Sequence, residues 1–287
     1  MTSPSTPSAP DTTLVDTLIC AAARAWQSDG EVLATGIGIV PRVAASLCKL
    51  SLNTDLMMTD SEAWLVQEPV PIGPRGGYKI QRESHMGFAR IFDNVWGGKR
   101  HAMVGPTQID RFGQANISMI GADYARPKSM MLGVRGFPGN SINHANSFFV
   151  PNHSPKVFTA GEVDMVASAG YNPARLARGW SLDEIDIRRV VSTLAVLDLG
   201  GTQHKMRLVS LHAGVTSEQV QAATGLVGVV PPQALTLERL VDVAPRRADV
   251  VAGAEVLAGA GQHDDLDRIV VGGAPQGGVQ RISHLRV

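Results

Sequence analysis

The stretch "VRGFPGNSINHANSFFVPNH", residues 134–153, gathers uncharged hydrogen-bonding groups behind an Arg-Gly-Phe-Pro-Gly turn and then runs into an apolar, strand-like segment. Asn140, Asn143 and Asn146, with the N–H groups around Gly136 and Gly139, are donors suited to a developing oxyanion or a thioester carbonyl. Arg135 suits a substrate carboxylate and, equally, an exposed or structural place. Each Asn alone is an ordinary turn residue. A single turn needs one of them, and the collection is what points to a ligand.

Other chemistries lack their residues. "GIGIVP" lacks the third glycine of a dinucleotide loop, no acidic residue follows a strand at the right distance, and there is no P-loop. The eight histidines show neither H-x-x-x-H nor H-E-x-x-H spacing, and His144 and His153 stand nine apart, so structural histidines are expected and no metal. A G-x-S-x-G elbow is missing. With 26 basic and 26 acidic residues the chain has no net charge, which argues against nucleic acid as a partner. Cys20 and Cys48 lie in apolar, helix-like sequence and read as buried free thiols of a reducing compartment. No run approaches the roughly 20 apolar residues of a membrane span, and the first dozen residues lack the regions of a secretory signal. The expected location is cytoplasmic.

Such groups need a scaffold. Leu14, Leu18, Ala22 and Trp26, four apart, predict an amphipathic helix over 13–27. "EVLATG" reads as a strand, "GIGIVP" as a loop and "PRVAASLCKL" as a helix with Pro41 in its first turn; "DLMMTD" (55–60) reads as a short buried strand. A β-loop-α-β unit favours a parallel sheet. Further strands are expected at 101–105, 115–121, 147–151, 163–169, 190–199 and 206–211, and a helix at 216–225. The fold class is therefore α/β: an open, Rossmann-like sheet with helices on both faces. One domain is expected over 13–254, between a disordered tail (1–12) and a weakly ordered extension (255–287). In such a sheet the loops at the carboxyl ends of the strands converge on a ligand. Here they are Gly36–Pro41, Asp60–Trp64, Gly105–Asn116 and Gly136–Asn146. Four unrelated turns would look the same.

In order along the chain, "GIGIVPRVAASL", "DLMMTDSEA", "GPTQIDRFGQANIS" and "LHAGVTSEQVQAATG" resemble β subunits of class I CoA-transferases, of the glutaconate and 3-oxoacid type. The resemblance runs from about residue 14 to about 245 and includes Gln108, Asp110, Gly113 and Asn116 in the pattern Q-x-D-x-x-G-x-x-N. "RGFPGNSINHANSFFVPNH", followed by "VDMVASAGY", is similar to the β-type subunit of the steroid ring-cleaving CoA hydrolases, a branch of that family. The resemblance implies a CoA-transferase-type fold, a coenzyme A thioester as substrate with no permanently bound cofactor, and a related α subunit in an α2β2 assembly. For the transferase reaction it implies a carboxylate nucleophile, matched here by Glu62. The glycine that opens the family's site is Trp64 in this chain.

For the hydrolase reaction the resemblance implies a base that activates water, which can lie on the α subunit, and donors on this chain. Gln108, Asn116, Arg135, Gly136, Gly139, Asn140, Asn143 and Asn146 are the candidate substrate- or CoA-binding residues. Three readings stand: a subunit of a ring-opening acyl-CoA hydrolase, a CoA-transferase subunit working through a Glu62–CoA thioester, and a non-catalytic subunit that completes the site of an α chain.

Overall fold

The computed structural model describes residues 12–60, 63–131, 133–226 and 229. The expected extension 255–287 and nearly all of the expected tail lie outside them, as does Glu62. The chain runs α1 (Leu14–Ala23), β1 (Leu33–Gly36), α2 (Ile39–Ser51), β2 (Met58–Asp60), β3 (Trp64–Val66), β4 (Arg82–His85) and α3 (Gly87–Trp96). It continues through β5 (Arg100–Val104), β6 (Gln108–Ile109), β7 (Ala115–Asn116), β8 (Met119–Ile120), β9 (Ser129–Met130), α4 (Phe137–Asn143) and β10 (Ala145–Val150). The hairpin β11 (Ile187–Ser192) and β12 (Ala195–Asp198), β13 (Arg207–Leu211) and α5 (Ser217–Ala223) follow.

The main sheet has the order β1-β5-β10-β11-β12-β13. The first four strands are parallel, and β12 runs antiparallel between β11 and β13. Strand alternation sends Met103, Phe149 and Val191 to one face, where α1 and α2 cover them around the fully buried Trp26 and Leu47. Ala102, Phe148, Val150 and Val190 point to the other face, against Phe137 of α4, Phe158 and Leu226. Both faces are thus closed, as a parallel sheet requires. Trp26 anchors the first layer, its indole N–H donating to the His101 carbonyl at 3.1 Å.

Local chemistry explains the element ends. Thr13 and Asp16 form a reciprocal capping box at α1, and Thr216 and Gln219 do the same at α5. A Cβ on Gly36 would sit 2.3 Å from the Pro41 carbonyl carbon, so only glycine lets β1 turn into α2.

Four expectations are corrected. Residues 163–169 form no strand, and Ser168 makes only an isolated bridge to Ala115. The run 190–199 is two strands joined by a tight turn, and 115–121 is two separate two-residue pairings. Residues 136–146 are not a strand-end loop but α4 and the entry of β10, because Phe137 and Ser141 bury a helical face. Strand β2 matches an expected strand, but its partners β3 and β4 and helix α3 have no counterpart among the expected elements.

Candidate active site

β1, β5, β10 and β11 end, at their carboxyl sides, at Gly36, Val104, Val150 and Ser192. Met57 bridges Leu33 in parallel, so β2 ends at Asp60 on the same side. The loops after Gly36, Asp60, Val104 and Val150 therefore share one edge. α4 contributes to it from behind. Phe137 packs on Phe148 with 6.3 Å between ring centres, while the Asn140 carbonyl accepts from Asn146 Nδ2 at 3.2 Å. Later helix residues thus meet earlier strand residues, so α4 lies antiparallel over β10 with its first turn towards the carboxyl edge.

This geometry divides the sequence-predicted residues. Arg135 is exposed, sits at φ 46°, and its side chain has no hydrogen bond or ion pair among the described residues. A non-glycine residue in the left-handed region is strained, and such strain gathers at functional positions. Gly136 caps α4, and Gly139 and Asn140 follow one turn later. The half-buried Asn140 amide has no partner among the described residues. By contrast, Asn143 Nδ2 donates to the Gly139 carbonyl at 2.6 Å. Asn146 is fully buried, its Nδ2 tying the Asn140 and His144 carbonyls together, and its Oδ1 has no partner among the described residues. Asn143 thus braces the helix from within, and Asn146 fastens the helix to the strand at its amino end.

Gln108 and Asn116 face each other across the β6–β7 pair, and both are buried. Asn116 Nδ2 donates to Gln108 Oε1 at 2.7 Å and to the Met119 carbonyl at 2.6 Å, while its Oδ1 accepts from Ser118 and Met119 N–H. Gln108 Nε2 reaches Asp164, and the Asp164 N–H returns to Gln108 Oε1. Asp110 closes the turn by accepting from the Phe112 and Gln114 N–H groups at 2.9 Å each, and Gly113 supplies φ 73°. The whole Q-x-D-x-x-G-x-x-N pattern is engaged in holding this hairpin. Burial pushes the Asp110 carboxyl up to about 6 despite those two donors.

Beside the edge, Asp60 is buried and takes both Arg75 nitrogens at 2.9 and 2.7 Å and Arg42 at 3.3 Å. Its cross-strand partner Trp64 has His85 at 4.8 Å between ring centres and the Arg82 guanidinium 5.2 Å from the ring centre. Ala63 holds φ 61° between Glu62 and Trp64. This arginine-clamped carboxylate was legible only as the border of a loop, since its partners are 15 and 18 residues away.

Further along, His153 bridges Ser192 and Thr224 at 2.7 Å each, with Phe158 stacked on its ring at 4.2 Å. Desolvation drives His153 down to about 4, so it stands neutral, and it drives His144 to about 4 as well. A Ser–His–Asp row also exists: Asp29 to His101 at 2.6 Å and His101 to Ser147 at 2.8 Å. His101 and Ser147 have no exposed surface, so the row is part of the core. Cys20 and Cys48 are buried and free of disulfides, and burial pushes the Cys48 thiol to about 12. No helix among the described residues is long and apolar enough to cross a membrane.

Comparison with known proteins places this architecture. No family model matches the chain. The glutaconate coenzyme A-transferase of Acidaminococcus fermentans superposes with a TM-score of 0.68 over 88% of this chain and 99% of that one, at 20% identity, which establishes the fold as that of a CoA-transferase subunit. The cholesterol ring-cleaving hydrolase IpdB subunit of Mycobacterium tuberculosis is 40% identical over 214 residues, 72% of this chain and 82% of that protein. The crystal structure of Rhodococcus jostii RHA1 IpdAB matches with a TM-score of 0.68 and 35% identity over 80% of this chain and 92% of that chain. The chain belongs to the family of cholesterol ring-cleaving hydrolase IpdB subunits.

Proposed function

We infer that this chain is the IpdB-type half of a two-chain hydrolase that opens the ring of a cyclic β-keto CoA thioester in cholesterol-type steroid breakdown. The observation that carries the reading is the sustained identity with the IpdB subunits, which extends through most of both chains. Water adds to the ring ketone as a base removes its proton. The tetrahedral oxyanion then collapses to a carboxylate, and the bond between the carbonyl carbon and its neighbour breaks. The electron pair passes into the thioester enolate, which takes a proton on carbon. Both stages place negative charge on oxygen, and neutral donors fixed in advance stabilise it. Asn140 and the backbone of Gly136 and Gly139 have the position for this role, and Arg135 has the free charge for a substrate carboxylate.

A partner chain is supported by α3. Phe88, Phe92 and Trp96 stand four apart on one stripe and are 80%, 53% and 65% exposed, while only Val95 of that helix is buried. The base that activates water is assigned to that partner.

A specific feature keeps the transferase reading in play: in the sequence Glu62 falls between the cross-strand partners Asp60 and Trp64. Trp64 speaks against it, since an aromatic ring occupies the position where the transferase pattern has glycine. Assaying the chain alone and co-purified with its α chain on a cyclic β-keto acyl-CoA separates the readings. The pair should open the ring and the single chain should not. Full activity of the single chain, or CoA exchange without ring opening by the pair, would overturn the proposal.

A further inference from the structure

At the amino ends of the parallel strands, away from the candidate active site, a cleft of about 420 Å³ lies between the end of α1 and the strands β11 and β12. Its charges are layered. Asp29 and Asp198 are 3% and 12% exposed, the first bound to His101 and Arg188, the second to Arg207 at 2.7 and 3.1 Å and to the Gly200 N–H. Above them Arg188, 38% exposed, is held between Asp29 and the half-exposed Asp186, while Arg189, 44% exposed, lies 3.6 Å from Asp198. The Arg24 side chain, on the wall, has no hydrogen bond or ion pair among the described residues.

A flat ring lies beside this charge. The exposed His204 imidazole stacks on buried Tyr171 at 4.6 Å and 10°, and Tyr171 is fixed through its hydroxyl to the Ile185 carbonyl and the Ile187 N–H. Gln203 and His204 both hold positive φ, 59° and 56°, to place that ring. We propose that this cleft binds a nucleoside phosphate, with phosphate oxygens on Arg24 and Arg189 and the base on the open face of His204. Forked guanidinium donors match phosphate oxygens, stacking needs a rigid planar support, and the volume falls in the range of small-molecule sites. Two sources carry this chemistry: a free nucleotide, or the 3′-phospho-ADP end of a coenzyme A.

Calorimetric titration of the full chain with its α partner, using ADP, 3′-phospho-ADP and inorganic phosphate, tests the site without any turnover. ADP and 3′-phospho-ADP should both bind, and Arg24→Glu should weaken both by about tenfold or more, the worth of one charge-assisted contact. His204→Ala should weaken ADP and leave inorganic phosphate unchanged. Tighter binding of 3′-phospho-ADP than of ADP supports the site and assigns it to the coenzyme; equal binding supports it as a nucleotide site. Absence of ADP binding at millimolar concentration, or ADP binding untouched by Arg24→Glu and by Arg189→Gln, overturns it. Inorganic phosphate binding as tightly as ADP overturns the role of the ring. Since no acyl-CoA is turned over, these outcomes leave the ring-opening reading untouched.

Discussion

Two asparagines that look alike in the sequence do opposite things in the fold. Asn116 is buried, and its amide is bonded at both ends within the β6–β7 hairpin. Asn140 stands half-buried on the first turn of α4 with its amide unpartnered among the described residues. A residue whose polar atoms are all satisfied inside the chain has nothing left for a ligand, whereas an unpaired amide near the carboxyl edge of the strands does. The spacing of a family pattern therefore marks where the chain folds in a family-specific way, and the free groups mark where we propose that it acts.

The sharpest way to break this contrast is Asn116→Ala. Removing that amide leaves the Met119 carbonyl and the Ser118 and Met119 N–H groups without that partner in the interior, each worth about 1–3 kcal/mol, while Gln108 Oε1 keeps the Asp164 N–H. Urea unfolding should show a loss of several kcal/mol in total, with normal turnover per folded molecule. Asn140→Ala should reverse the pattern: turnover about a hundredfold lower, or about 3 kcal/mol of transition-state stabilisation, with a melting temperature nearly unchanged. A low melting temperature with normal turnover would return Asn140 to a turn residue.

Acid separates two buried groups by sign. His153 is held near 4, below its unfolded value, so between pH 6.5 and about 4 only the unfolded chain takes up its proton and stability falls as pH falls. Asp110 is held near 6, above its unfolded value, so in its window the native chain takes up the proton and stability rises as pH falls. From pH 7 to 5 the first effect is about 2 kcal/mol and the second about 1 kcal/mol in the opposite direction. Denaturant midpoints across this range should flatten in His153→Gln and steepen in Asp110→Asn. Smaller still is Arg135→Gly, which releases the left-handed strain at φ 46° and should stabilise by about 1 kcal/mol while lowering affinity for the acyl-CoA.

How much of this was legible beforehand follows from where the interactions lie. The β1-α2-β2 unit, β5, β10 and the capped helix α5 rest on local pattern, and the chain shows it: apolar runs, Pro41 in a first turn, Thr216 three residues before Gln219. The 163–169 run is apolar enough for a strand, yet Asp164 and Ser168 dock it onto the Gln108 and Ala115 hairpin instead. α4 contains Gly139, Asn140 and Asn143, poor helix formers, and forms because Phe137 packs on Phe148. The same tertiary contact decides which of the candidate donors stay free. The pairing of Asp60 with Arg42 and Arg75 joins three separate segments that no short motif connects.

Attack on the substrate by water, and by no enzyme carboxylate, is the step on which the ring-opening reading turns. It is tested most directly by running the two-chain enzyme on a cyclic β-keto acyl-CoA in water enriched in the heavy oxygen isotope, with borohydride trapping in parallel. One heavy oxygen should enter the new carboxylate, no Glu62–CoA adduct should be found by mass, and Glu62→Gln should keep appreciable activity. A trapped Glu62–CoA thioester, with no heavy oxygen in the product, would contradict the account.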